Sequence, residues 1–411
     1  MNTEVLLELE SRKCFEYLWR EANTDIESPG YGLVRDRAPS NPHVSSIAAV
    51  GFALSALPIG VKRGWVSFEE AYLRAAGTLD TFLHNAEGEK GFFYHFLHPD
   101  TGKRIWKCEI SVIDTAILLC GAVTAAEFFG DKIREKAYRL YERMDWPWFF
   151  DQNSRLFRLG YKPETGFFGY WDSYAEQLMI YFFACASPKK VDGSALYSFE
   201  RYIDGYGPVL PFIYSYTGAL FTYQFTHAWF DLRSLYDQEG VNWFENSVRA
   251  SQAAWQYAVD FKYVFKTFGK DSWGLTACDG PKGYGTLYGS PPRKTEDVHF
   301  GNNGTVPPCG AIGSIVFTPK ESIAALHRYY RQENLIGPYG LQDAYNLDLN
   351  WTAKDVIGID KGISLLMMEN YRSGLVWDLF MKNEFVQKGI KEAGLVKKKT
   401  TVPVSSLYRA Q

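Results

Sequence analysis

Nothing in these 411 residues has the spacing of a redox pair or a zinc site. The six cysteines, Cys14, Cys108, Cys120, Cys185, Cys278 and Cys309, fall singly, with no C-x-x-C and no Cys/His cluster. Buried free thiols are the default for such residues. Basic runs are absent apart from Lys397-Lys398-Lys399, and the formal net charge is −3. That excludes the electrostatic footprint of a nucleic-acid-binding face. No stretch approaches the roughly 20 unbroken apolar residues of a membrane span, so no membrane partner is expected. A Gly-rich phosphate loop, a zinc helix and a Ser-His-Asp order are missing too, and neither cofactor nor metal is expected. The N-terminus, Met1-Asn-Thr-Glu-Val-Leu-Leu-Glu-Leu-Glu10, is acidic where a secretory signal is basic and then apolar. A cytoplasmic location is the expectation, with a periplasmic or secreted one as the alternative if this is a mature chain. Oligomeric state has no signature in the composition.

What is present in excess is aromatic: 17% Phe, Trp and Tyr, including 12 Trp and 27 Tyr. Such rings fill cores, and in Gly-rich loops they also line sugar-binding clefts. Apolar residues recur at three- and four-residue steps and predict helices near 3–22, 44–58, 67–85, 109–129, 131–144, 172–186, 217–233, 242–265, 319–332, 353–370 and 374–392. Ser67-Phe-Glu-Glu70 is a capping box, and Thr318-Pro319 places Pro at a first helical position. Strand signals are short, at Gly91–Phe96 and Arg155–Leu159, and the longest loop, 266–318, is of a length that is usually functional. About twelve helices with alternating short and long connections predict an all-α (α/α)6 barrel whose long loops build a cleft at one end. Residues 1–392 are expected to form one catalytic domain and 393–411 a tail.

Several acids sit among these rings. Glu176 has two readings. In Ser173-Tyr-Ala-Glu176 it completes a capping box; below the aromatic approach Phe167-Phe-Gly-Tyr-Trp171 it is also poised as an acid at a cleft, its pKa raised by apolar walls. Glu109 and Asp114, five residues apart, lie roughly 140° apart on a helix and do not form a same-face pair. Asp114 reads as a hydrogen-bonded structural acid. Asp279-Gly280 is a turn signal, and His299-Phe-Gly-Asn-Asn-Gly-Thr305 offers amides and an imidazole to a hydroxyl-rich ligand or is turn chemistry alone. Asp343, just past a Gly-Pro turn between Tyr339 and Tyr345, is either a cap or an ionised general base. Arg35-Asp-Arg37 and Gln224-Phe-Thr-His-Ala-Trp229 are further polar groups among rings. Several acids, many rings and no cofactor motif suit glycoside hydrolysis, in which one acid protonates the leaving oxygen and one carboxylate activates water.

The motifs Glu109-Ile-Ser-Val-Ile-Asp-Thr-Ala-Ile-Leu-Leu119, Tyr174-Ala-Glu-Gln-Leu-Met-Ile-Tyr181, Gln224-Phe-Thr-His-Ala-Trp229, Trp273-Gly-Leu-Thr-Ala277, Ser314-Ile-Val-Phe-Thr-Pro319, Gly340-Leu-Gln-Asp-Ala-Tyr-Asn346 and Met368-Glu-Asn-Tyr-Arg-Ser-Gly-Leu-Val-Trp377 together resemble the glycoamylase-like family. Its best-characterised members are the endo-β-1,2-glucanases of glycoside hydrolase family 144. The resemblance implies an (α/α)6 barrel without metal that hydrolyses β-1,2-glucan to short sophoro-oligosaccharides with inversion. It implies Glu176 as general acid and Asp343 as base, directly or through a sugar hydroxyl. Arg35, Asp36, Glu109, Asp114, His227 and Trp273 would line or support the cleft, and Trp171, Asp279 and Tyr339 are further expected substrate contacts. The implied partner is an oligo- or polysaccharide. Asn303 stands where an acid is expected before Gly-Thr, a departure from the family pattern. The alternatives are a transglycosylase or chain-end-acting enzyme on the same glucans, a carbohydrate-binding protein without catalysis, and a polysaccharide lyase, which the acidic pI disfavours.

Overall fold

In chain order the helices are α1 (Thr3–Arg20), α2 (Ile47–Lys62), α3 (Phe68–His84), α4 (Val112–Phe129), α5 (Asp131–Glu142), α6 (Trp146–Phe149), α7 (Leu178–Ala186), α8 (Phe221–Trp229), α9 (Trp243–Asp260), α10 (Pro308–Ile312), α11 (Pro319–Tyr329), α12 (Gly358–Arg372), α13 (Leu375–Phe380) and α14 (Glu384–Glu392). They come from a computed structural model that describes residues 2–294 and 301–397. His299, Phe300, Lys398, Lys399 and most of the 393–411 tail lie outside the described residues. The part of that tail within them is tied to the fold: Ala393 and Leu395 are buried, and Val396–Lys397 pair with Leu235–Tyr236.

Six of these helices form an inner set. α2 packs on α4, α4 on α7, and α12 on α2, α8 and α10. Six more surround them: α1 against α2 and α12, α3 against α2, α5 against α4, α9 against α8, α11 against α10, and α14 against α7. This is the expected (α/α)6 barrel. α13 contacts α2, α4, α8 and α12 and stops the end at which α12 terminates. One continuous core runs from Leu6 to Leu395.

Inner helices are covered all round, which shapes their sequences. Contrary to the sequence expectation, α4 is long and apolar enough to cross a membrane, but 78% of that span is buried against the neighbouring helices. α2 and α4 cross at Gly51 and Gly121. A Cβ on Gly121 would lie 2.0 Å from the Gly51 carbonyl oxygen, and one on Gly51 would lie 2.3 Å from that of Ile117. Both helices need hydrogen at that point. The outer helix α1 is tied to α12 by a buried ion pair, Lys361 Nζ donating to Glu10 Oε1 at 3.0 Å and to the Leu341 carbonyl.

The capping box Ser67-x-x-Glu70 forms with both reciprocal bonds. Pro319 occupies a first-turn position, but the Thr318 hydroxyl turns to the Ser314 carbonyl rather than capping. Several stretches depart from the periodicity reading, among them the helix expected over 374–392, which breaks into α13 and α14 where Asn383 caps the second. Phe167-Phe-Gly-Tyr, expected as loop, lies in the strand Gly166–Tyr170, which pairs with Leu156–Lys162 because a tight turn at Gly166 brings them antiparallel. The 266–318 loop contains a hairpin, Cys278–Gly280 with Gly283–Gly285, and the inner helix α10, whose Pro- and Gly-rich five residues carry no readable period. The predicted helix 353–370 starts only at Gly358, since Val356–Ile357 pair as a strand with Arg37–Ala38. That shift puts Asp360 in the first helical turn.

Candidate active site

A cleft of about 650 Å³ opens at the N-terminal ends of the inner helices. Every segment leading into an inner helix contributes to its wall: Asp36, Arg37 and Asn41 before α2; His95, Trp106 and Glu109 before α4; Phe168, Trp171 and Glu176 before α7; Thr217 before α8; Tyr284 before α10; Ile357 before α12. Ser46 and Ser111, the N-caps of α2 and α4, line it too. Helix N-termini thus converge on a pocket of carboxylates, where their exposed amides favour negative charge.

Glu176 lies on this wall, and the capping box expected around it does not form. α7 begins at Leu178, so Glu176 precedes the helix. Gln177 fills the local role instead, its side chain bonding the Ser173 carbonyl (2.9 Å) and the Ala175 amide (2.6 Å). The Ser173 hydroxyl turns to Asp172, and Thr226 holds the Glu176 carbonyl at 2.9 Å. The backbone is fixed and the carboxyl is left to the cleft. Burial, with the charge of Asp114 added, lifts its pKa to about 7 against a partial offset from its own amide. Near neutrality it is therefore still about half protonated.

Opposite charges gather around His95, which the sequence reading missed. Its Nδ1 meets Glu109 Oε1 at 2.9 Å and its Nε2 lies 3.7 Å from Asp114 Oδ2. Burial opposes its charge, but Asp114 and Glu109 outweigh burial and raise it to about 9. Burial pushes Glu109 up, and the His95 bond more than reverses that. The helical-angle argument against a Glu109/Asp114 pair fails because α4 starts at Val112; Glu109 lies before it, and an imidazolium joins the two. Asp114 is also held by Ser111, whose hydroxyl donates at 2.5 Å. At Gly160 a Cβ would come within 2.9 Å of the Glu109 side chain and 2.8 Å of the Phe168 ring, so the strand passes under both.

Asp343 does not line this cleft. It is buried behind Asp360, which does. The Asp279 amide donates to Asp343 Oδ2 at 2.6 Å. Asp343 Oδ1 and Asp360 Oδ2 are shut away from every other donor of good geometry, and the two carboxyls interact with each other. Burial raises both. The neighbouring Asp360 charge lifts Asp343 further, while bonds from Asp343 and Cys309 hold Asp360 lower. Asp343 thus holds a proton more tightly than Asp360, which is the member of the pair that faces the cleft. Asp360 was legible only as a polar position inside a predicted helix; the signal, as at Glu176, is an acid at the head of an apolar helix.

Of the other expected contacts, Asp36 and Trp171 line the cleft, and burial raises the Asp36 carboxyl. Arg37 rather than Arg35 reaches the cleft, bonded to Asp279 (2.9 Å) and Asp36 (3.3 Å). Arg35 points away, pairing with Glu21 at 2.6 Å and holding the Pro39 and Ser40 carbonyls. Tyr339 stands behind it, its hydroxyl on Glu21. Asp279 is one step back from the cleft, in the hairpin its turn signal predicted. His227 and Trp273 are core residues. His227 is wedged edge-on between Phe244 and Phe317, and burial pushes it down to about 4, so it is neutral. The Trp273 ring is fully buried, with its N–H on the Glu321 carbonyl. In both cases the apolar neighbours simply outnumber the polar atom. Asn303 bonds the Tyr288 hydroxyl and the Thr305 amide, which is turn chemistry. Among the described residues no group of three or more His, Cys, Asp and Glu is placed to hold a metal ion.

Residues 169–384 match a family described as Glycoamylase: "Putative glucoamylase". An exo beta-1,2-glucooligosaccharide sophorohydrolase (non-reducing end) from Parabacteroides distasonis is 27% identical over 97% of this chain. The chain spans 59% of that relative's length. A solved structure described as a "putative glucoamylase", from Bacteroides uniformis, superposes with a TM-score of 0.86 at 27% identity, covering 97% of this chain and 98% of the other. An endo-beta-1,2-glucanase from Chitinophaga pinensis, crystallised with sophorotriose and glucose, superposes at 0.84 with 24% identity, covering 96% and 99%. At that identity it shows the shared fold.

Proposed function

The chain belongs to the Glycoamylase family, and from that premise we propose that it is a glycoside hydrolase cleaving β-1,2-linked glucans to short sophoro-oligosaccharides with inversion. The observation that carries the chemistry is the pairing, in one cleft, of Glu176, whose buried carboxyl stays partly protonated up to about neutrality, with Asp360, the cleft-facing member of a second buried acid pair. The linkage rests on the activity named for the Parabacteroides distasonis relative.

In this reading Glu176 gives its proton to the glycosidic oxygen as the bond to the anomeric carbon breaks. A water attacks that carbon from the opposite face, and its proton passes to Asp360, directly or through a sugar hydroxyl. Asp343 is the hydrogen-bond donor behind Asp360 rather than the base itself. Glu109 and Asp114, fixed by His95, place negative charge beside the developing oxocarbenium ion. The aromatic wall supplies flat apolar faces for pyranose rings.

Replacing the acid tests this. Glu176→Gln should lower kcat on linear β-1,2-glucan by about 10²–10⁴-fold, the usual contribution of a positioned acid, with oligosaccharide binding retained. Wild-type turnover by that variant would remove Glu176 from the role. NMR of the first product should show the α-anomer, and a β-anomer would overturn inversion. Product sizing separates internal cleavage from release of sophorose at a chain end, the second reading, which the relative's named activity favours.

A further inference from the structure

Residues Ile105–Cys108 make a turn at the cleft mouth whose chemistry is wrong for its shape. The Cys108 amide closes it on the Ile105 carbonyl at 3.1 Å. Its two central residues, Trp106 and Lys107, have φ of 54° and 50°. Two successive positive φ values define a primed turn, in which Gly, Asn and Asp are the normal occupants. Among the described residues the other non-glycine positions with positive φ are Asn, Asp, Lys or Arg; Trp106 alone is aromatic.

The surroundings impose the conformation. Arg104 donates from Nε to the Cys108 carbonyl at 2.6 Å and clamps Glu164 with both terminal nitrogens. The Cys108 thiol bonds the Phe96 carbonyl at 3.3 Å. What the strain achieves is display. Trp106 is 60% exposed, lines the cleft that holds Glu176, and meets Phe96 edge-on with ring centroids 5.4 Å apart at 65°. Strained non-glycine residues held by their neighbours concentrate at ligand clamps.

We infer that Trp106 is a stacking platform at the cleft mouth, a subsite for glucosyl units of a β-1,2-gluco-oligosaccharide lying beyond those at the scissile bond. A pyranose presents a face of C–H groups, and an exposed indole offers it a flat apolar partner. The assignment rests on the β-1,2-glucan reading proposed above.

The test measures affinity against chain length by calorimetry in the Glu176→Gln protein, with β-1,2-gluco-oligosaccharides from sophorose upward. Trp106→Ala should weaken the longest chains about tenfold, as expected for one aromatic contact, and sophorose by less than about twofold. Trp106→Phe should recover most of the loss. The double change Trp106→Asn with Lys107→Gly fits the turn, so it should raise the thermal midpoint while losing the same long-chain affinity. Equal weakening at every length, or none at the longest, overturns the subsite. If no β-1,2 chain binds, the same series in β-1,3- and β-1,4-glucans separates the two ideas. A Trp106-dependent length effect there keeps the platform and removes the linkage; its absence removes both.

Discussion

At the scale of single residues, the site depends on where a few protons sit. Asp343 and Asp360 are both buried acids, and both look alike in sequence. What separates them is surroundings: burial and the neighbouring Asp360 charge make Asp343 the neutral partner, against the opposing bond from the Asp279 amide. Asparagine reproduces a protonated aspartate, with one acceptor and one donor. Asp343→Asn should therefore keep kcat within about tenfold of wild type, while Asp360→Asn should cost about 10²–10⁴-fold, the general-base range. Steady-state kinetics on β-1,2-glucan distinguishes them. If Asp343→Asn proved as inactive as Asp360→Asn, Asp343 would be the base that the family resemblance implied.

At the scale of elements, close approach governs. The α2–α4 crossing at Gly51 and Gly121 sets how near two inner helices stand, and both carry cleft residues at their N-termini. Gly121→Ala gains helix propensity but drives a methyl into the Gly51 carbonyl. Overpacking of that kind costs about 1–3 kcal/mol, more than the roughly 1 kcal/mol of propensity gained. Urea unfolding should show net destabilisation. Elements were legible wherever packing follows a period: α1, α3 and α5 lie within two residues of their expected bounds because one face is wet and one dry, and α9 starts as expected but ends at Asp260, five residues early. They were illegible where contact replaces period. α10 has five residues, and Val356–Ile357 continue an apolar pattern that a strand partner in Arg37–Ala38 captures. The site followed the same division. Glu176, Glu109, Asp114, Asp36 and Trp171 stand in motifs at the heads of inner helices and reach the cleft. His95 and Asp360 escaped because their meaning lies in partners distant in sequence, and His227 and Trp273 misled because a polar atom on an aromatic ring says nothing about which way the ring points.

For the whole molecule, the same groups tie stability to pH. Glu176 is raised to about 7 and His95 to about 9, so the folded state binds protons that the unfolded chain has released. Glu176 contributes fully below its unfolded value near 4.5, and that contribution fades as pH rises through 7. His95 contributes below 6.5 and loses it as pH rises through 9. Buried, raised Asp343 acts in the same direction. Glu109, held low by His95, works in reverse and loses its contribution as pH falls below 4.5. His227, pushed down to about 4, likewise loses its contribution as pH falls from 6.5 toward 4, so the urea midpoint should decline from about pH 7 toward pH 9. A midpoint rising steadily across that interval would contradict the proton assignments. Glu176→Gln should flatten the decline around pH 7, since an amide has no proton to lose.

The ion pair between Glu10 and Lys361 joins residues from opposite ends of the chain, beside the acids at the head of α12. A ribosome delivers Glu10 first and Lys361 some 350 residues later. Until then, burying α1 in its final place would strand a carboxylate without its cation, a penalty of about 3–5 kcal/mol. A chain in synthesis thus has reason to keep α1 undocked until α12 has emerged, and the cluster of acids at the head of α12 is completed by that same late event.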